Sequence, residues 1–326
     1  MIFIILYGNL NLLIYNKKIK TYKFLIKDNI NDFYITEPIN SEYSRLNFAV
    51  IRRKRSPVSG LFSDYKYFLG CIRYFLIQGF IPIIDLESYK NTINGFRINE
   101  GNPWEYYFNQ PFGYKYSDVK KKAKYIKYFE CGYNKIFPYS KIFLNKKAKN
   151  FWHDMAKRYI PIKAEIIKES NNIIKRIFNK SRNILGVLLR GTDYIARKPK
   201  GHAIPPKTED VVKDVKVLKN KYKYDWIFLA TEDNLIRQHF LGAIGSKVKY
   251  ILNQNNINYN YTRKKFLAHN INFRKNINYH KNYLLNIIIL SKCLDFLGAK
   301  TSGTIGVFLL TKGFRNSKVY NLGTYK

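Results

Sequence analysis

The sequence predicts an α/β protein built on parallel sheets, and three observations carry that prediction. Its second half alternates apolar runs of strand length with amphipathic segments of helical period. Its first half contains one strand, loop, helix, strand unit of the same kind. Between residues 185 and 190 an apolar run, LGVLL, ends abruptly on Arg190. A buried parallel strand delivers a cation in this way to the carboxyl edge of a sheet, where open α/β sheets bind their ligands.

Taken in order, the opening MIFIILYGNLNLLIY is apolar but interrupted by Gly8, Asn9 and Asn11, with no basic run before it and no small-residue cleavage site after it. It is expected to form two short strands or an irregular arm, with a membrane-surface anchor as the alternative. Residues 46–51 (LNFAVI) read as the first strand of a sheet and lead into the basic cluster Arg52, Arg53, Lys54 and Arg55. Ser56 to Gly60 break regular structure, LFSDYKYFLGCIRYFLIQG repeats apolar residues at helical spacing up to Gly79, and residues 80–86 (FIPIIDL) form a second strand. Residues 91–113, with Pro103, Trp104, Glu105, Tyr106 and Tyr107, read either as an acceptor platform or as local core beneath a long loop. From 141 to 179 the pattern is helical and basic, with Pro161 in a first-turn position and an isoleucine stripe from Ile162 to Ile177.

The second half is expected to run as strand 185–190, a long loop, helix 208–221, strand 225–230, a short helix at 234–240 and strand 247–252. An Asn- and Tyr-rich loop over 253–278, helix 283–293, strand 294–299, helix 305–311 and strand 318–322 complete it. Four divisions follow: an arm over 1–45, a first Rossmann-like domain over 46–140, a helical connector over 141–182, and a second Rossmann-like domain over 183–326.

The 326 residues include 58 Lys and Arg against 22 Asp and Glu, a net charge of +36. With 46% hydrophobic and 17% aromatic residues the chain can bury substantial cores, which excludes global disorder. The basic residues are spread along the chain and accompany heavy use of Lys, Asn, Ile and Tyr, as codon bias toward A and T would produce. Such a surface favours anionic partners, sugar nucleotides or acidic lipid head groups, and no specific nucleic acid is expected. Cys71, Cys131 and Cys293 are odd in number and far apart, which suits reduced core thiols and a cytoplasmic location, at most peripheral to the inner face of the cell membrane.

Three turns leave the carboxyl ends of strands in the second half: Arg190-Gly191-Thr192-Asp193, Thr231-Glu232-Asp233 and Thr301-Ser302-Gly303-Thr304. Arg190 offers a permanently charged fork for phosphate oxygens. The Ser302-Gly303-Thr304 turn opens a helix, whose N-terminus can receive the same anion. Glu232 and Asp233 can accept hydrogen bonds from a base or ribose. Together the three turns describe a clamp for a nucleoside diphosphate. Singly, each has a plain structural reading: an Arg190 ion pair with Asp193 or Asp233, a helix start at 231–233, and close packing at 301–304. His202 lies in the loop behind Arg190 and suits a loop-ordering hydrogen bond as well as it suits catalysis. There is no Asp-x-Asp pair, no Walker A loop and no complete Gly-x-Gly-x-x-Gly, so metal-nucleotide, ATPase and dinucleotide readings weaken.

GVLLRGTDY, IFLATED, and LLNIIILSKC leading to TSGTIG resemble, in that order, the three C-terminal motifs of the fucosyltransferase superfamily of α1,6-fucosyltransferases and protein O-fucosyltransferases. SPVSGLFSDYKYFLG, GFIPIIDL and NPWEYYFNQPFGY resemble its bacterial surface-polysaccharide branch, so that the resemblance covers roughly residues 46–325. It implies a GT-B-like fold of two Rossmann-like domains facing a cleft, and an inverting, metal-independent transfer of fucose from GDP-fucose to a glycan acceptor, with no cofactor. It also implies that Arg190 holds the donor diphosphate, that Asp233 belongs to an acidic pair at the nucleoside, that Ser302 and its neighbours lie at the phosphates, and that His202 is the motif histidine. Three positions depart from the pattern. Leu188 stands in place of a histidine, Gly191 in place of a second arginine, and Lys198 in place of the glutamate proposed as catalytic base. Candidates for the base are then Asp193, Asp64 and Glu105, with Gly60 and Trp104 also placed on the acceptor side.

Overall fold

The computed structural model describes residues 2–7, 11–16, 21–26, 43, 46–54, 59–93, 100–130, 141–251 and 277–326. Arg55, the break at 56–58, Cys131 and most of the Asn- and Tyr-rich loop, 252–276, lie outside the described residues. The chain divides into two compact units, Met1–Lys163 and Ala164–Lys326, and the division falls inside the stretch read as a connector. Each unit contains a wholly parallel sheet with helices, the mixed α/β class expected from the sequence.

In the first unit β1 (Ile2–Tyr7), β2 (Asn11–Asn16) and β3 (Thr21–Ile26) pair antiparallel in that order, with Tyr7 opposite Asn11. Residues 8–10 lie outside the described residues, and the third strand falls in the arm over 1–45, beyond the stretch expected to hold two strands. The parallel sheet follows in the order β5-β4-β6, from β4 (Asn47–Arg52), β5 (Ile81–Ile84) and β6 (Tyr125–Glu130). Helix α1 (Leu61–Ile77) crosses from β4 to β5, and its buried Leu61, Tyr65, Phe68, Ile72 and Phe75 recur at helical spacing. Helix α2 (Tyr116–Lys122) precedes β6; α3 (Lys141–Leu144) and α4 (Lys146–Tyr159) close the unit. Neither α2 nor β6 was expected: a lysine-rich run, KKKAK, leads into β6, an exposed edge strand whose YIKYFE does not alternate apolar with polar residues.

The other edge strand, β5, is closed by side chains. Gln110 imitates a neighbouring strand: its Oε1 accepts from Ile84 N–H at 2.9 Å and its Nε2 donates to Ile84 C=O at 2.7 Å. Asn102 Nδ2 donates to the same carbonyl at 2.6 Å. A sheet edge covered in this way cannot template further pairing. Gln110→Leu leaves the buried Ile84 N–H without its acceptor and is expected to cost roughly 1–3 kcal/mol in a denaturant titration; unchanged stability would refute this account of the edge.

The basic cluster after β4 is largely neutralised. Arg52 pairs with the fully buried Asp85 at 2.6 Å, Arg53 with Asp64 at 2.6 Å, and Lys54 with Glu130 at 3.0 Å. Among the described residues it is a set of internal ties, with Arg52, Arg53 and Lys54 each facing a carboxylate.

The second unit begins with α5 (Ala164–Phe178), which starts after Pro161 and does not take it into its first turn as expected. Residues 160–163 are extended instead, with Pro161 C=O accepting from Asn109 N–H at 2.9 Å and Ile162 bridging Phe108. The sheet that follows has the order β11-β10-β7-β8-β9, all parallel. Its strands are β7 (Ile184–Leu188), β8 (Trp226–Ala230), β9 (Val248–Lys249), β10 (Asp295–Ala299) and β11 (Ser317–Tyr320). Between them lie α6 (Asp193–Arg197), α7 (Thr208–Tyr222), α8 (Asn234–Ile244), α9 (Ile277–Ser291) and α10 (Ser302–Leu310). Helix α9 starts six residues earlier than the sequence pattern indicates, and α6 occupies part of what reads as loop. The core joins Leu185, Val187 and Leu189 to Ile227, Leu229 and Leu297 of the sheet, with Val211, Val215 and Phe240 from the helices. No helix among the described residues is long and apolar enough to cross a membrane.

Candidate functional site

Strand β7 is the first strand of the second unit's sheet, and the chain then builds outward through β8 and β9 before returning to place β10 on β7's other side. The order of strands therefore reverses beside β7. In open α/β sheets the crevice at the carboxyl ends of the strands flanking such a switch point is the ligand site. Arg190 leaves β7 there, Thr231 to Asp233 leave β8, and Thr301 to Thr304 leave β10.

Arg190 is the centre of the cluster. Its guanidinium lies 3.9 Å from the centroid of the Tyr194 ring, so a cation–π contact fixes its plane. Nη2 is 3.5 Å from Asp193 Oδ1 and 3.9 Å from Glu232 Oε1, both long for charge-assisted bonds. Nε is buried with no hydrogen-bond partner, while the side chain as a whole remains 31% exposed. Burial disfavours its charge, but Glu232, Tyr194 and Asp193 outweigh that and raise its pKa further. The result is an always-charged fork with unused donor capacity, aimed at a sheet edge.

Glu232 faces it. Tyr279 of α9 donates to Oε2 at 3.2 Å, while Oε1 is buried without a hydrogen-bond partner. Desolvation raises the Glu232 carboxyl above its usual range, with Asp193 and Asp233 adding to the rise and Arg190 and Tyr279 opposing it. Tyr283, one helical turn beyond Tyr279, has its hydroxyl raised by burial against the opposing Arg190 charge. Sequence reasoning missed Tyr194, Tyr279 and Tyr283. The two α9 tyrosines are spaced i, i+4 on one face, a signal hidden by the polar Asn-rich context before them.

Asp233, expected beside the nucleoside, is held in a structural tie. It is the N-cap of α8, with Oδ1 accepting from Leu235 N–H at 3.0 Å, and its Oδ2 accepts from Thr192 N–H at 2.9 Å. Its side chain is 1% exposed. The bond to Thr192 anchors a strained residue: Thr192, β-branched, sits at φ 54° and ψ −123°, a conformation that costs roughly 1–3 kcal/mol. Gly191 is required at this point. A Cβ there would lie 2.2 Å from Asp233 Oδ2 and 2.6 Å from Ile236 Cδ1, so no arginine fits where the family pattern has its second one.

The remaining candidates divide by burial. Thr301 caps α10 by accepting from Thr304 N–H at 3.3 Å, and Thr301, Ser302 and Thr231 are partly exposed at the edge. Gly303 and Thr304 are buried: Thr304 Oγ1 donates to Ala299 C=O, and a Cβ on Gly303 would lie 2.4 Å from the Tyr283 hydroxyl. Both are closely packed beneath the helix N-terminus. Asp193 is 3% exposed and accepts from Thr192 Oγ1 at 3.1 Å, which leaves it a poor base for an incoming hydroxyl. The His202 ring is exposed and packs edge-on against Tyr194 at 5.3 Å, so it reaches the cluster only through that ring. Lys198 is exposed in the left-handed conformation at the end of α6, and Leu188 is buried in β7.

The acceptor-side candidates lie in the first unit. Trp104 is fully buried, 4.4 Å from Phe108 and 5.3 Å from Phe68 by ring centroids, and is core with no face for a sugar. Asp64 is 2% exposed and holds Arg53. Glu105 Oε1 accepts from Gln110 Nε2 at 3.1 Å and so supports the β5 edge. Gly60 is exposed at the start of α1, with room for a side chain.

No protein-family model matches the chain, and no curated protein matches it. Solved structures do. The chain is similar to solved fucosyltransferases. The fucosyltransferase NodZ from Bradyrhizobium aligns over 82% of this chain and 94% of its own at 13% identity and a TM-score of 0.49. POFUT1 in complex with GDP aligns over 85% and 99% at 9% identity and a TM-score of 0.48. NodZ α-1,6-fucosyltransferase co-crystallized with GDP aligns over 82% and 93% at 12% identity and a TM-score of 0.48.

Proposed function

We propose that the chain is an inverting, metal-independent glycosyltransferase that moves fucose from GDP-fucose to a glycan acceptor in surface-polysaccharide synthesis, on the cytoplasmic side of the membrane. The observation that carries the reading is Arg190: a guanidinium fixed on Tyr194 at the switch point, with a buried, unpartnered Nε. Breaking a sugar–diphosphate bond leaves charge on the departing phosphate, and a preorganised cation stabilises that charge without reorganising. The α10 N-terminus, across the switch point on β10, adds a dipole of the right sign. The ordered motif resemblance supplies the choice of GDP-fucose.

A thermal-shift panel of GDP, GDP-fucose, GDP-mannose, UDP and ADP tests it. GDP and GDP-fucose are expected to stabilise the protein by about 2.7 kcal/mol at a hundredfold excess over Kd, and ADP and UDP by far less. Stabilisation by UDP alone would move the donor to another sugar nucleotide. If no nucleotide shifted the midpoint while DNA or RNA bound with a steep salt dependence, the enzyme reading would give way to nucleic-acid binding.

A further inference from the structure

We infer that Glu232 is a proton-linked ligand of the donor diphosphate: as the diphosphate docks on Arg190, Glu232 takes one proton from solvent and changes from the arginine's counter-ion into a hydrogen-bond donor to a phosphate oxygen. This rests on the donor assignment above and deepens it.

The geometry motivates it first. Arg190 Nη2 and Glu232 Oε1 stand 3.9 Å apart, too far for a hydrogen bond. Arg190 Nε and Glu232 Oε1 are each buried without a hydrogen-bond partner, so one cluster holds an unsatisfied donor and an unsatisfied acceptor. Buried orphans of this kind call for a ligand or a reaction. A phosphate oxygen satisfies Arg190 as it stands. It satisfies Glu232 only if that carboxyl is protonated, because two anionic acceptors repel.

The surroundings decide which way the proton moves. Facing Glu232 are Arg190, Asp193 and Tyr194 from the loop after β7, Asp233 at the start of α8, and Tyr279 and Tyr283 from α9. Arg190 is the cation that holds Glu232 ionised, while burial, Asp193 and Asp233 push toward the neutral form. A diphosphate on Arg190 neutralises that cation and adds negative charge, so the balance tips to protonation. The proton returns to solvent when the nucleotide leaves.

The linkage has a definite sign. The loaded protein binds more protons than the free one, so affinity rises as pH falls between the Glu232 pKa of the free protein and its higher loaded value. The slope is at most about tenfold per pH unit and vanishes outside that window.

Calorimetric titration of the intact protein with GDP-fucose, near neutral pH in two buffers of different ionisation enthalpy, counts the protons directly. Net uptake is expected in the wild type. Glu232→Gln, already a neutral donor, is expected to bind without uptake and more tightly above the window. Binding without uptake in the wild type, or equal uptake in Glu232→Gln, would overturn the inference while leaving the donor assignment intact. Failure of the wild type to bind any GDP nucleotide would remove the donor assignment, and this inference with it.

Discussion

Replacing Arg190 by alanine is expected to lower sugar transfer by about 10²–10³-fold, the loss seen when one preorganised stabiliser of developing negative charge is removed. The side chain is held by a ring at 3.9 Å and by two carboxylates at ion-pair distances, so its removal deletes a positioned charge with little loss of core. Arg190→Lys keeps the charge but not the planar fork or the stacking on Tyr194, and is expected to recover only part of the rate. Steady-state transfer measured with GDP-fucose decides it. Alanine variants that turn over like the wild type would show that the diphosphate lies elsewhere.

The second large effect is structural. Gly191→Ala places a methyl 2.2 Å from the Asp233 carboxylate, which is already bound to Thr192 and to the first turn of α8. Neither neighbour can retreat without breaking those bonds, so the substitution is expected to cost about 3 kcal/mol by overpacking. A thermal melt would then show a midpoint lower by roughly 6–12 °C. The clash also displaces Arg190, next in the chain, and GDP binding should weaken together with stability. An alanine variant as stable as the wild type would mean that the close approach at Gly191 is dispensable.

Much of this architecture was legible because parallel strands buried on both faces are written as continuous apolar runs. LGVLL, WIFLA and DFLGA announce β7, β8 and β10, and the turns behind them announce one sheet edge. What stayed hidden had a physical reason. The exposed edge strand β6, YIKYFE, follows a lysine-rich run and has no alternation of apolar and polar residues to mark it. The strand order, and with it the switch point, depends on tertiary pairing that no local pattern encodes. Residue type also left open the difference between Glu232 and Asp233: adjacent acids on one turn, one with an orphaned oxygen beside Arg190, the other capping a helix. Trp104 shows the same limit: aromatic residues among Gly and Pro read either as a platform or as local core, and tertiary packing makes this one core.

The return of the chain to β7 has a consequence for synthesis. Strands β7, β8 and β9 can pair as they emerge, since each lies beside the one before it. The other wall of the crevice, β10 with the cap of α10, is made more than a hundred residues after Arg190. A nascent chain halted before residue 295 would carry Arg190 and Glu232 at an open sheet edge with half of the proposed site, so a nucleotide held there would stabilise the unit only once β10 and the start of α10 have been made. Nucleotide-dependent protease protection of ribosome-arrested chains should therefore appear in one step, when α10 clears the exit tunnel.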